Sequence, residues 1–451
     1  MRALLFLLVV LSGLASTAPP ARAAEDPQVV VVQALALFDP SPGKREAALD
    51  FFAARGDPDA AALLILAMRF LREPRIPEVL QAITGENLAT DWFAWMLWQE
   101  AHPEIGPFEG FALVHAWAHS QIDPNFQLFL GASKKHEIRI EEIVWGGVVK
   151  DGIPALTHPH LLSAEAAGYL GPEDLVFGIE IAGDARAYPL RILDWHEMLN
   201  DTIGGVDVSL AYCTLCGSGI LFETRIDRFP EPLIFGSSGF LYRSNKLMYD
   251  TATNSLWNQF TGRPVVGPLT GSGIELKTRP LVITSWAKWL EEHPGTRVAD
   301  IETGFSRDYS AGAAYESYFS SPELMFPTRV DQTALKQKDY VFALRSANVE
   351  KAWPLKLFEG GAVINDRAGV IDLVLIGDAS TRTVRAYRSD GLAFARGSDA
   401  SEVIADGKTW RVTEDALIAK NGQRLDRLPG HIAYWFAWNG YFGKEGEVGG
   451  R

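Results

Sequence analysis

The pattern of apolar positions changes character at about Gly152. Before it, Lys44-Arg45-Glu46-Ala47-Ala48-Leu49-Asp50-Phe51-Phe52 has the three-to-four spacing of an amphipathic helix. Gly56-Asp57-Pro58-Asp59 breaks that pattern and places Asp57 or Asp59 to cap a second helix, Ala60 to Leu71. Pro77 to Leu80 and Trp92 to Trp98 continue it. Short helices joined by Asp-Pro turns predict a helical-repeat-like region over residues 24–130. Trp92, Trp95 and Trp98 read as one buried face of such a helix, with a ligand stack as the alternative.

After Gly152 the period shortens to two. Leu175 to Ile181, Val206 to Tyr212, Gly219 to Glu223, Leu233 to Phe235 and Lys246 to Tyr249 alternate with Gly, Pro and Asn/Asp turns, as strands do. One helix is predicted after Thr284 or Ser285, with Trp286, Trp289 and Leu290 on one face and His293-Pro294-Gly295 ending it. The fold class expected is α+β: a helical region followed by two β-rich units.

The two units come from a repeat in the sequence itself. At an offset of 165, Val176-Phe177 meets Val341-Phe342, Asn200-Asp201 meets Asn365-Asp366, and 11 of 35 positions match without a gap. This spacing predicts a duplicated β fold. A first unit at 152–283 is followed by a linker with a helix at 284–338 and a second unit at 339–445. At the same offset His196 becomes Gly361, Cys213 becomes Asp378 and Cys216 becomes Thr381. Residues kept by both copies serve the fold. The histidine and cysteines, present in one copy, are candidates for function.

Composition narrows the setting. Arg2, the apolar run Leu4 to Leu14 and Ala21-Arg22-Ala23 have the form of an export leader over residues 1–23. No later run approaches the roughly 18 apolar residues of a spanning helix. The expectation is a periplasmic or secreted chain with no membrane span once the leader is removed. A net charge of −14 disfavours nucleic acid and anionic lipid as partners. The helical region is the candidate surface for a protein partner. The chain has two cysteines, too few for a disulfide framework.

Those two cysteines carry the sharpest chemistry. Cys213-Thr214-Leu215-Cys216-Gly217 offers two soft thiolates on a knuckle, suited to copper(I), zinc or iron. His196 lies 17 positions upstream across turn-like residues, and Met248 offers a thioether. Cys213, Cys216, His196 and Met248 therefore form a candidate metal site, with copper preferred and zinc an alternative. Two other readings stay open: a thiol–disulfide oxidoreductase using Cys213 and Cys216, and a structural disulfide in an interaction module. The thioredoxin arrangement would put the first cysteine at a helix N-terminus, whereas strand-like residues flank this pair. Covalent haem attachment requires histidine where Gly217 stands.

Several ordered motifs together resemble a known family. Gly152-Ile153-Pro154-Ala155-Leu156, Ala187-Tyr188-Pro189-Leu190, His196-Glu197-Met198-Leu199-Asn200-Asp201, Tyr212-Cys213-Thr214-Leu215-Cys216-Gly217-Ser218 and Ser244-Asn245-Lys246-Leu247-Met248-Tyr249-Asp250 are similar to those of an exported bacterial and archaeal family known as a domain of unknown function. The resemblance covers Gly152 to Phe442. Thr214 stands where that family's knuckle carries proline, and Met198 where it carries isoleucine. The resemblance implies no activity, so it supports boundaries and motif positions alone.

Overall fold

The computed structural model describes residues 26–346, 349–443 and 447–449. The leader expected over residues 1–23 lies outside them. Six helices open the described chain: α1 Pro27–Ala36, α2 Pro42–Arg55, α3 Ala61–Phe70, α4 Ile76–Thr84, α5 Trp92–Ala101 and α6 Phe111–Ser120. Local chemistry sets their ends. Asp26 accepts from the Gln28 amide, Asp57 from Asp59 and Asp91 from Ala94, so orphan N–H groups are satisfied. Gly56 (φ +63°) and Gly85 (φ +80°) end α2 and α4 in the left-handed conformation. The helices close on one core that includes Phe52, Leu64, Leu80, Trp95 and Phe111. Among the described residues no helix is long and apolar enough to cross a membrane.

The β half is mixed with a few short helices, as the α+β reading expects. Its strands include β1 Leu175–Ile181, β2 Asp184–Pro189, β3 Met198–Ile203, β4 Val206–Cys213, β5 Ser218–Glu223, β6 Phe235–Tyr242, β7 Asn245–Asp250 and β8 Leu256–Asn258. Helix α7, Leu190–His196, joins β2 to β3. Strand β9 Val282–Ser285, helix α8 Trp286–Glu292 and strand β10 Arg297–Ala299 follow, with Ser285 capping α8 through the Lys288 amide. Strands β9 and β10 flank β1 and β2 in one sheet. The start of the expected linker thus completes the first unit's sheet.

A short helix, α9 Glu316–Ser320, lies in the irregular segment that comes next. The later strands include β11 Tyr340–Ser346, β12 Val349–Pro354, β13 Ala362–Ala368, β14 Ile371–Asp378, β15 Thr383–Arg388 and β16 His431–Tyr434. Helix α10 Trp435–Phe442 and strand β17 Glu447–Val448 close the fold.

Registers recur at the offset of 165. Val176 faces Pro189 and Val341 faces Pro354. Leu199 faces Leu210 and Ile364 faces Leu375. Cys213 faces Ser218 and Asp378 faces Thr383. Strand β9 runs antiparallel to β1 as β16 does to β11, and β10 runs parallel to β2 as β17 does to β12. Contacts between the units are reciprocal: β16 packs on β5 and β9 on β15. One core runs through both, from Phe177 and Leu210 to Phe342, Trp353 and Leu375.

Period two decides what β4 presents to each side. Val208, Leu210 and Tyr212 enter the core shared by the two units. Ala211 and Cys213 point the other way, into a second layer with Met198, Phe235, Met248 and Trp257.

Candidate functional site

Strand β4 ends at Cys213 and β5 begins at Ser218, so both cysteines lie on one tight turn. The Cys216 amide donates to the Cys213 carbonyl at 3.1 Å, and Gly217 donates to Thr214 at 3.2 Å. Gly217 has φ +59°, and a Cβ there would meet Tyr340 and Tyr434 at 3.1–3.2 Å. Backbone conformation and close approach both favour glycine. Cys213 and Cys216 are joined as a disulfide with a Cα–Cα distance of 5.2 Å, and they are 3% and 0% exposed. The turn is clasped from outside the first unit. Tyr434 N–H donates to the Cys216 carbonyl and the Tyr318 hydroxyl to the Leu215 carbonyl, both at 2.8 Å. The Cys216 sulfur sits 3.4 Å from the Ser244 carbonyl, an acceptor for a thiol once the pair is reduced.

Met248, on β7, is fully buried in the same cluster as both cysteines and Met198. His196 is not turned toward the sulfurs. It ends α7, and Glu197 (φ +55°) then swings the chain into β3. The imidazole Nδ1 lies 2.8 Å from the Pro154 carbonyl and Nε2 lies 2.6 Å from the Tyr309 hydroxyl. Burial lowers its pKa, so the ring is neutral at pH 7. The carbonyl then fixes the tautomer: Nδ1–H donates to Pro154 and Nε2 accepts from Tyr309. The structure brings Cys213, Cys216 and Met248 into one layer and holds His196 between Pro154 and Tyr309.

Two charged residues inside the quoted motifs pair in a way that the motifs do not show. Lys246 Nζ lies 2.5 Å from Glu197 Oε2, and the two residues are 3% and 8% exposed. Lys246 shares the inward face of β7 with Met248, while Glu197 also accepts the Tyr212 amide at its carbonyl. The sequence signal was a lysine inside a strand of otherwise buried residues, Asn245-Lys246-Leu247-Met248-Tyr249.

On the other side of the turn lies a cleft of about 550 Å³ between the units. Asp194, Tyr212, Gly217, Lys338, Tyr340, Arg382 and Tyr434 line it. Tyr212 donates to Asp194 at 3.1 Å, and Tyr340 to Tyr434 at 2.9 Å. Burial pushes the Asp194 carboxyl up to about 7, with Glu197 adding to the rise and Arg382 opposing it. This carboxyl binds its proton more tightly folded than unfolded. The contribution of Asp194 to folding stability should therefore fall as pH rises from about 4 to about 7. Urea titrations at pH 5 and pH 8 check the sign: Asp194→Asn gains on the native chain at pH 8 relative to pH 5. An equal difference at both pH values contradicts it.

Among the described residues, Glu292, His293 and Glu414 could also converge on a cation. Glu414 is already bound by Arg385 and Arg427, and Arg385 also holds Glu292. The guanidinium groups neutralise that cluster.

The family model described as a protein of unknown function, DUF3179, matches residues 150–445, about two thirds of the chain. No curated protein and no solved structure matches.

Proposed function

The chain belongs to the DUF3179 family of proteins of unknown function, and from that premise we propose that it is an exported protein binding a soft metal ion, copper(I) ahead of zinc, through Cys213, Cys216 and Met248. The observation that carries this reading is the burial of both cysteines in one layer with Met248, on a turn that the second unit builds without sulfur. We read the two β units as copies of one scaffold. The shared offset in strand register supports that reading. So does a shared clasp. Asn200 bonds both backbone groups of Phe235, and Asn365 does the same to Phe394. Gly217 and Arg382, 165 positions apart, both hold positive φ in the matching turns. A scaffold that closes this turn with Asp378 and Thr381 has no need of sulfur there.

The donor set favours copper(I). Two thiolates and a thioether suit that ion, whereas structural zinc sites use four ligands. His196 would complete a fourth position only by releasing Tyr309. Metal uptake requires the reduced pair. An external dithiol takes the disulfide to two thiols, giving up two electrons and two protons, and the thiol protons leave as the metal binds. The leader over residues 1–23 motivates the exported setting.

The test is copper retention after reduction with a phosphine, its removal and loading with copper(I). The expected result is about one copper per chain. It is lost in Cys213→Ser and Cys216→Ser, weakened in Met248→Leu and kept in His196→Gln. Copper that stays with both serine variants, or that the native chain never holds, sinks the reading. A second reading, thiol–disulfide exchange, has the joined pair in its favour. Its difficulty is access, since a partner thiolate must reach a sulfur no more than 3% exposed. A mixed disulfide trapped on Cys213 in Cys216→Ser would favour it.

A further inference from the structure

We infer that the cleft between the two β units is a binding site for a singly charged organic carboxylate with an apolar body. The inference is independent of the metal reading. Its first support is an imbalance of charge between the walls. On the second unit's side, the Arg382 guanidinium lies 4.3 Å over the Tyr340 ring and has no carboxylate partner among the described residues. Lys338 donates to the Tyr318 and Ser321 carbonyls at 2.6 and 2.8 Å, again with no carboxylate. Two cations thus face the cavity with no carboxylate in contact, Asp194 and Glu323 acting on them only at longer range. Arg191, on the opposite wall, is closed off by its ion pair with Asp174.

The second support is shape and lining. The volume suits a small molecule. Leu175, Leu190, Ile283 and Phe319 supply an apolar floor, and the hydroxyls of Tyr340 and Tyr434 offer polar contacts next to the cations. The third support is the position of the acids. Asp194 and the exposed Glu173 belong to the first unit's wall. Glu173, and Asp194 once it ionises, would repel the second charge of a phosphate-like dianion, while a single carboxylate needs only the one guanidinium of Arg382. Guanidinium and carboxylate are matched in geometry, which favours Arg382 as the anchor.

Calorimetry on the full chain tests this with naphthalene-2-carboxylate and its neutral analogue, naphthalene-2-carboxamide. The acid should bind about tenfold more tightly than the amide, a difference of about 1.4 kcal/mol. Arg382→Gln should remove most of that preference and leave amide binding unchanged. Lys338→Gln should weaken the acid by a smaller factor. Circular dichroism and melting curves show whether the variants fold. Equal binding of acid and amide overturns the inference. So does failure of the acid to bind at about 5 mM, or unchanged acid affinity in both variants. Displacement of the acid by an equal concentration of inorganic phosphate overturns the preference for a single charge.

Discussion

Replacing Lys246 with methionine should destabilise the fold by about 3–5 kcal/mol, the usual cost of removing one partner from a buried ion pair. Lys246 and Glu197 are nearly sealed from solvent, with Nζ 2.5 Å from Oε2. Methionine keeps most of the length and the apolar stem. What changes is the Glu197 carboxylate, left buried near Asp194 with its counter-charge gone. Adding Glu197→Gln to Lys246→Met should restore a substantial part of the loss, because a neutral pair has no uncompensated charge. Urea midpoints for the single and double variants give the answer. A single variant within about 1 kcal/mol of the native chain would mean that the pair is solvated or rearranges. The effect should also reach the cysteine turn. Glu197 holds the Tyr212 amide through its carbonyl, and Tyr212 precedes Cys213.

The strand pattern around that turn was legible because burial there is one-sided and alternating. Val208, Leu210 and Tyr212 point one way, Ala211 and Cys213 the other. The Asn-Asp pairs were legible as structure because the sequence repeats them at the offset of 165. The direction of His196 was not. A single residue at φ +55°, Glu197, turns the chain between α7 and β3, and glutamate carries no sequence signal for that conformation. The partners of His196 were equally hidden. Tyr309 lies 113 positions away on an irregular segment with no periodicity to read. The Lys246–Glu197 pair spans 49 positions and depends on two sheets meeting. Boundaries blurred for a related reason. Strands β9 and β10 are four and three residues long, too short to announce themselves, yet they complete the first sheet.

The clasp that recurs in both units offers the second large effect. Asp201→Asn should cost about 3 kcal/mol, and Asp366→Asn about 1 kcal/mol. Asp201 is 6% exposed and accepts from Arg186 at 2.6 Å, the Tyr188 hydroxyl at 2.7 Å and the Thr202 amide at 2.8 Å. Its counterpart Asp366 accepts from Trp353 at 2.6 Å, the Arg367 amide at 2.7 Å and Lys351 at 3.2 Å. The donors occupy matching positions, but Asp366 is half-buried, so water compensates part of its loss. Asparagine in either place turns an acceptor into a donor facing other donors. The larger penalty falls where solvent cannot intervene. Chemical denaturation of the two variants measures both, and a greater cost for Asp366→Asn would contradict the argument from burial. Asp201→Asn should leave copper retention per folded chain unchanged, because its contacts lie on the strand pair that both units share. Loss of copper in that variant, with the fold intact, would tie the sulfur site to the scaffold itself and remove the distinction between residues kept in both units and those present in one.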